Sequence, residues 1–267
     1  MNFIKRQIRK IKFLYFFWCK INYFIEKRNF NVFFYNTEYD IEINKGIYKK
    51  YGLNFEPTLD NSFQETIPLK FKLFKSLKQK MGDKSLKILE IGTLDGEFTN
   101  YLSKLFSNSE IFTIDLPEND IKFINSYDRS TNFEKFLENR SNNIKNLNIN
   151  FIEMDSLNIL SKFNENFFDI IFVDGDHRDP VVSKDIFNSY KLLKKDGFLI
   201  IDDIYFTFSY REKIERATKP IGELPSVDAY KALEKLSSEN KLRPDYMVKF
   251  YGPKNFFYNP RLGILKK

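Results

Sequence analysis

From residue 86 onward, short apolar runs alternate with longer stretches of helical period. Leu86–Ile91, Glu110–Asp115, Ile149–Glu153, Phe167–Asp174 and Phe198–Asp203 read as five strands. Between them, 97–106, 132–145 and 181–194 carry apolar side chains at helical spacing. Strand, helix, strand at this spacing predicts βαβ units and a parallel sheet. Strands covered on both faces should be continuously apolar, as Ile170-Ile171-Phe172-Val173 and Phe198-Leu199-Ile200-Ile201 are. A last helix over 228–239 precedes two closing strands, Tyr246–Tyr251 and Phe256–Leu265, with Gly252-Pro253 in the turn. The expectation is a doubly wound, mostly parallel α/β sheet of seven strands. The Asn-rich stretch 139–150 reads as helix end and loop, and no internal repeat is visible.

The N-terminal part follows a different pattern. On a helical wheel of about 100° per residue, Phe3, Ile4, Ile8, Ile11, Leu14, Tyr15, Trp18, Ile21 and Ile25 share one face. The bases of this segment fall on the opposite face, interleaved with Phe13, Phe16, Phe17, Tyr23 and Phe24. A basic amphipathic helix with aromatic borders suits an anionic membrane surface or a partner. It suits equally a helix docked on its own domain or in a homo-oligomer. Residues 31–61, punctuated by Gly46, Gly52 and Pro57, read as a linker with short helical pieces. Ser62 and Glu65 could form a capping box for a helix over 63–81, which Pro68 interrupts before the turn at Gly82-Asp83. The organisation predicted is a basic helix and linker over 1–60 and one catalytic-sized domain over 61–267.

Charge sharpens this division. Among 267 residues, 43 Lys plus Arg outnumber 36 Asp plus Glu, for a formal +7. Residues 1–30 alone hold eight bases (Lys5, Arg6, Arg9, Lys10, Lys12, Lys20, Lys27, Arg28) and one acid, Glu26. The other 237 residues balance 35 bases against 35 acids. A neutral body argues against a nucleic-acid protein that presents a cationic surface throughout. The single cysteine, Cys19, leaves no intramolecular disulfide or cysteine-built zinc site and fits a reducing cytoplasm. The longest purely apolar run, Phe13–Cys19, is seven residues, against the ~18–20 of a spanning helix. No small-residue cleavage site follows it, so no secretory signal is read. The expected location is the cytoplasm, peripheral on the inner face of the membrane.

Candidate chemistry begins where the first strand ends. Residues 89–99 read Leu-Glu-Ile-Gly-Thr-Leu-Asp-Gly-Glu-Phe-Thr, an apolar strand delivering Gly92 and Gly96 to a helix start. Glycines there let backbone approach a ligand closely. The spacing Gly92-x-x-x-Gly96 is neither the dinucleotide fingerprint nor a Walker loop. Asp115 closes the second strand, where an acid suits ribose hydroxyls. Asp155-Ser156 follow the third strand, at the rim where open α/β sheets bind ligands.

This ordered set resembles the class I S-adenosylmethionine-dependent methyltransferases. The resemblance rests on E-x-G-x-x-x-G after strand one, an acid after strand two, Asp-Ser after strand three and Phe-Asp-Ile-Ile-Phe-Val-Asp through strand four. It covers roughly 84–203 and implies a Rossmann-like methyltransferase sheet. It also implies that Gly92, Thr93, Asp95 and Gly96 sit by the methionine part of the cofactor S-adenosylmethionine. Glu90 would lie beneath that turn, Asp115 would hold the ribose, and Asp155 and Ser156 would contact the adenine.

A second cluster is acidic. The fourth strand ends Val173-Asp174-Gly175-Asp176-His177 and the fifth ends Ile201-Asp202-Asp203. Adjacent strand ends bring these carboxylates together, and their repulsion calls for something cationic between them. Hard oxygen ligands suit Mg²⁺, although Asp176 or Asp179 could instead cap a helix. The arrangement is similar to the metal-dependent O-methyltransferases of the catechol and caffeoyl-coenzyme A kind, and to sugar O-methyltransferases. That similarity implies Asp174, Asp202 and Asp203 as ligands of a divalent metal. The Asp-Asp pair leans toward the sugar-modifying branch, whose acceptor is a small molecule or glycan.

His177, the only histidine, lies three residues after Asp174, where the resembling enzymes carry a general base. An imidazole titrates near neutrality and can take a hydroxyl proton. Asp176 is the competing base, and Arg178 with Asp179 reads as an ion pair or cap. The bases of 204–227 (Arg211, Lys213, Arg216, Lys219) could cover an anionic acceptor or form a solvated face. Two other functions compete. One is a nucleic-acid-modifying methyltransferase, opposed by the neutral body and by Asp174-Gly175-Asp176-His177 standing where an Asn/Asp-Pro-Pro-aromatic motif would be. The other is a non-catalytic membrane- or partner-binding protein, opposed by the intact set of acids.

Overall fold

The computed structural model describes residues 37–55, 67–125, 132–206, 226–249 and 261–267. Seven strands form one sheet: β1 (Lys87–Ile91), β2 (Glu110–Asp115), β3 (Ile149–Glu153), β4 (Phe168–Val173), β5 (Leu193–Ile204), β6 (Asp245–Val248) and β7 (Arg261–Lys266). Their order is β3-β2-β1-β4-β5-β7-β6. The first five are mutually parallel, and β7 runs antiparallel to both β5 and β6. This is the mostly parallel, doubly wound Rossmann-like sheet that the strand pattern predicts. Strand order reverses between β1 and β4, so the crevice beyond their C-terminal ends is the ligand position for such a sheet.

Side-chain alternation builds a core on each face. Ile88, Ile170, Phe172, Phe198 and Ile200 face one way, against Leu73, Phe74 and Leu77 of α2 (Leu69–Met81) and Leu102 of α3 (Glu97–Leu105). Leu89, Ile171, Val173, Leu199 and Ile201 face the other way. There they meet Val182 and Ile186 of α6 (Val181–Leu192) and Leu233 of α7 (Asp228–Glu239). The remaining helices are α1 (Thr37–Lys50), α4 (Ile121–Asn125) and α5 (Phe133–Asn143).

Four expectations change. The linker reading of 31–61 gives way over 37–55, where α1 lays Ile47 and Tyr48, and the turn after it Tyr51, into the first core. Asn44 clamps α1 to the sheet edge, its Nδ2 donating to Val248 O and its Oδ1 accepting from Val248 N, both at 2.9 Å. The helix read over 63–81 begins at Leu69, because Pro68 stands as its N-terminal boundary in an extended conformation. The Ser62–Glu65 capping box falls outside the described residues. Strand β5 starts five residues earlier than the apolar run, and the closing strands are shifted to 245–248 and 261–266. The amphipathic segment 1–28 and most of 204–227 also lie outside the described residues. Among the described residues no helix is long and apolar enough to cross a membrane.

Candidate active site

The glycine turn is held by contacts no other residue would permit. Gly92 has φ +100°, and a Cβ there would stand 2.3 Å from the carbonyl oxygen of Asp174. The turn after β1 thus lies directly on the backbone that ends β4. Leu94 (φ +53°) and Gly96 (φ +77°) continue the left-handed turn into α3. Asp115 ties this turn to β2. Its Oδ2 accepts from Leu94 N at 2.9 Å and its Oδ1 from Leu116 N at 2.8 Å. Asp95 accepts from Glu97 N at 3.2 Å, while its carbonyl accepts from Asn143 of α5 at 2.9 Å. Asp155 caps the short 3-10 helix Ser156–Ser161, accepting from Leu157 N at 2.9 Å. Glycine turn, Asp115 and the Asp155-Ser156 rim therefore follow one another along the C-terminal edge of β1, β2 and β3. The acceptor groups and close-approach backbone there fit an adenosyl cofactor.

Glu90 is buried below the turn. It accepts from the hydroxyls of Thr99 and, at 2.7 Å, Thr113, which is itself 2.7 Å from the Thr93 hydroxyl. Burial pushes its carboxyl up to about 7, against the pull of those hydroxyls and Lys70. The folded chain therefore holds this proton more tightly than the unfolded chain. Stability contributed here is full below about 4.5 and is lost as pH rises towards about 7. Glu90→Gln should remove that slope. By urea unfolding, its stability relative to wild type should rise by up to roughly 3 kcal/mol between pH 5 and pH 8. A constant difference across that range would reject the assignment.

The acids of β4 and β5 meet as expected, but in company the sequence reading missed. Lys70, on the first turn of α2, places Nζ 2.9 Å from Asp174 Oδ2 and 3.9 Å from Asp202 Oδ2. Lys249, just after β6, contacts Asp202 Oδ1 and lies 2.9 Å from Asp203 Oδ1. Asp203 has φ +48°, where the β5–β7 register breaks between Ile201 and Ile204. Burial and then the charge of Asp202 push the Asp174 carboxyl above its ordinary value, in spite of Lys70 and His177. Burial acts the same way on Asp202, but Lys249 and Lys70 outweigh it and hold that carboxyl below the usual range. Lys70 titrates above an ordinary lysine because Asp174 and Asp202 more than offset its own burial.

The metal expectation for Asp174, Asp202 and Asp203 meets these lysine pairings at the same oxygens. Among the described residues, no group of three His, Cys, Asp or Glu side chains is arranged to hold a metal ion. The cation that the clustered acids call for is present as two ammonium groups. The residues as arranged do not fit a divalent ion.

His177 sits at the same edge, its Nε2 3.7 Å from Asp174 Oδ1. Its Nδ1 is buried with no hydrogen-bond partner among the described residues. Asp176, the competing base, is engaged by Arg178 through Nε at 2.8 Å and Nη2 at 2.7 Å. Arg178 thus pairs with Asp176 and not with Asp179, which accepts from the Ser183 hydroxyl.

Residues 89–204 match a family model described as a methyltransferase domain. No curated protein matches the chain. Among solved structures, a candidate caffeoyl-CoA O-methyltransferase from Staphylococcus aureus is 18% identical, with 85% of this chain and 91% of that one covered at a TM-score of 0.46. A candidate O-methyltransferase from Klebsiella pneumoniae is 16% identical, with coverage of 86% and 88% and a TM-score of 0.46. A SAM dependent methyltransferase from Archaeoglobus fulgidus is 16% identical, with coverage of 74% and 94% and a TM-score of 0.45.

Proposed function

We propose that this chain, whose residues 89–204 match a methyltransferase-domain model, is a class I S-adenosylmethionine-dependent methyltransferase that methylates a hydroxyl oxygen of a small molecule, a sugar or glycan. The contact between glycine turn and strand-four loop carries the reading. Gly92 lies on the Asp174 carbonyl, and Asp174 in turn stands 3.7 Å from His177 Nε2. A cofactor seated at the turn therefore has a titratable base beside it.

When bound, S-adenosylmethionine supplies a methyl group on a sulfonium centre. Gly92 to Gly96, with Thr93 and Asp95, would border its methionine part. Asp115, whose carboxylate is held by the N–H groups of Leu94 and Leu116, would accept from the ribose hydroxyls. Asp155 and Ser156 would meet the adenine. His177 takes the acceptor's hydroxyl proton at Nε2, with Asp174 Oδ1 3.7 Å away. No step in this reading passes through a metal. The sugar or glycan acceptor rests on the sequence resemblance alone, so a screen decides it. Labelled cofactor incubated with nucleotide sugars and oligosaccharides should give a methyl ether. Label found only on nucleic acid would overturn the reading. His177→Ala should lower kcat by about 10²–10⁴-fold while cofactor affinity stays within about threefold. A fully active variant would remove His177 from the chemistry.

The basic amphipathic pattern of 1–28 supports a peripheral position on an anionic membrane surface. Full-length chain should co-sediment with anionic vesicles, less at high salt than at low. Deleting 1–28 should abolish the difference; equal binding by the shortened chain would reject this role.

A further inference from the structure

Two lysines remote in sequence complete the charge balance at the ends of β4 and β5. Lys70 bridges Asp174 and Asp202, which belong to adjacent strands. Lys249 bridges Asp202 and Asp203, so Asp202 has an ammonium on each oxygen. Both lysines are built in. The Lys70 ammonium lies over the rings of Phe98 and Phe172, 4.9 and 5.6 Å from their centroids. The Lys249 side chain is 9% exposed and follows Val248, whose backbone Asn44 clamps. A divalent ion would need the same oxygens, at about 2.0–2.6 Å, while standing beside two fixed positive charges.

We propose that Lys70 and Lys249 take the place of the divalent cation at this edge, and that Lys70 donates an N–H to the acceptor oxygen where a metal would otherwise hold it. The inference rests on the methyl-transfer reading for the acceptor, though not for the exclusion of metal. Lys70 has three N–H donors, Asp174 takes one at 2.9 Å, and the side chain is 23% exposed, which leaves a donor for the acceptor. In the transfer step the acceptor O–H gives its proton to His177 Nε2. The oxygen forms the new C–O bond while the C–S bond breaks onto sulfur. Lys70 keeps its protons and stabilises the charge on oxygen.

The test is a titration of Mn²⁺ into the full-length protein, read by the electron paramagnetic resonance of free ion. Wild type should bind none below about 1 mM, where vacant carboxylate sites would fill. Lys70→Met and Lys70→Met/Lys249→Met, each checked for folding by circular dichroism, should bind at least about tenfold more tightly. Methyl transfer by wild type should be unchanged by EDTA. Tight Mn²⁺ binding by wild type, or EDTA inhibition reversed by Mg²⁺, would overturn the proposal. So would a folded Lys70→Met variant that binds Mn²⁺ no better than wild type. The Mn²⁺ arm reads out even if no acceptor is methylated. Thermal shift with S-adenosylmethionine separately tests the methyl-transfer reading.

Discussion

Gly92→Ala should cost the protein its cofactor binding and much of its stability. The added Cβ would stand 2.3 Å from the Asp174 carbonyl oxygen, 2.7 Å from its carbon and 3.0 Å from Gly175 Cα. All three are backbone atoms at the end of β4, so no side-chain rotation can relieve the overlap. The backbone at φ +100° also disfavours any residue with a Cβ. Relief requires β1 and β4 to part at the switch point. That would break Asp174 N–H to Ile91 O, now 2.8 Å, and move Asp174 from Lys70. A loss of several kcal/mol follows from overpacking plus strain, which is about 10 °C or more in Tm for a domain of this size. Gly46→Ala is the control. It lies within α1 with nothing inside 4 Å, so it should leave binding intact and stabilise by roughly 0.5–1 kcal/mol. Similar behaviour of the two variants would show that Gly92 does not hold the turn against β4.

The central strands β4 and β5 were legible because a strand covered on both faces has few polar positions to spare. Ile170 to Val173 and Phe198 to Ile201 are all buried. Helix α1 was harder to read, although the buried positions Asn44, Ile47 and Tyr48, with Tyr51 just past its end, follow helical spacing. One of the four is polar, and Gly46 and Gly52 look like loop punctuation. The site acids were legible as strand-end residues, since topology alone brings such ends together. Their partners were not. Lys70 stands 104 residues from Asp174, on a helix that also carries Lys72, Lys75, Lys78 and Lys80. Nothing in the sequence separates a lysine that neutralises a buried carboxylate from one that solvates a helix face. Repulsion among Asp174, Asp202 and Asp203 did demand a cation. Sequence could state that demand but could not identify what meets it, and a metal and an ammonium answer it equally well.

Lys249→Ala should be the most damaging change outside the backbone turn. Lys249 follows β6, two strands from β5 in the sheet, and its ammonium touches Asp202 and Asp203 at the far end of β5. Asp202 is buried, and its carboxyl is held ionised chiefly by this lysine against the cost of burial. Removing one partner of a buried pair leaves the other charge uncompensated, which typically costs 3–5 kcal/mol. Lys70 stays 3.9 Å from the other oxygen of Asp202 and offsets part of this, so about 3 kcal/mol is expected. Because Asp202 would then titrate upward, the loss should be larger at pH 8 than at pH 5, where the carboxyl can take up a proton. Lys249→Ala/Asp202→Asn removes the stranded charge and should recover most of the stability, with a coupling of at least about 1 kcal/mol in the double-mutant cycle. Urea unfolding of the four proteins at both pH values measures this. If the two losses simply add, Lys249 and Asp202 are not a functional pair, and the ammonium between the strand ends is incidental.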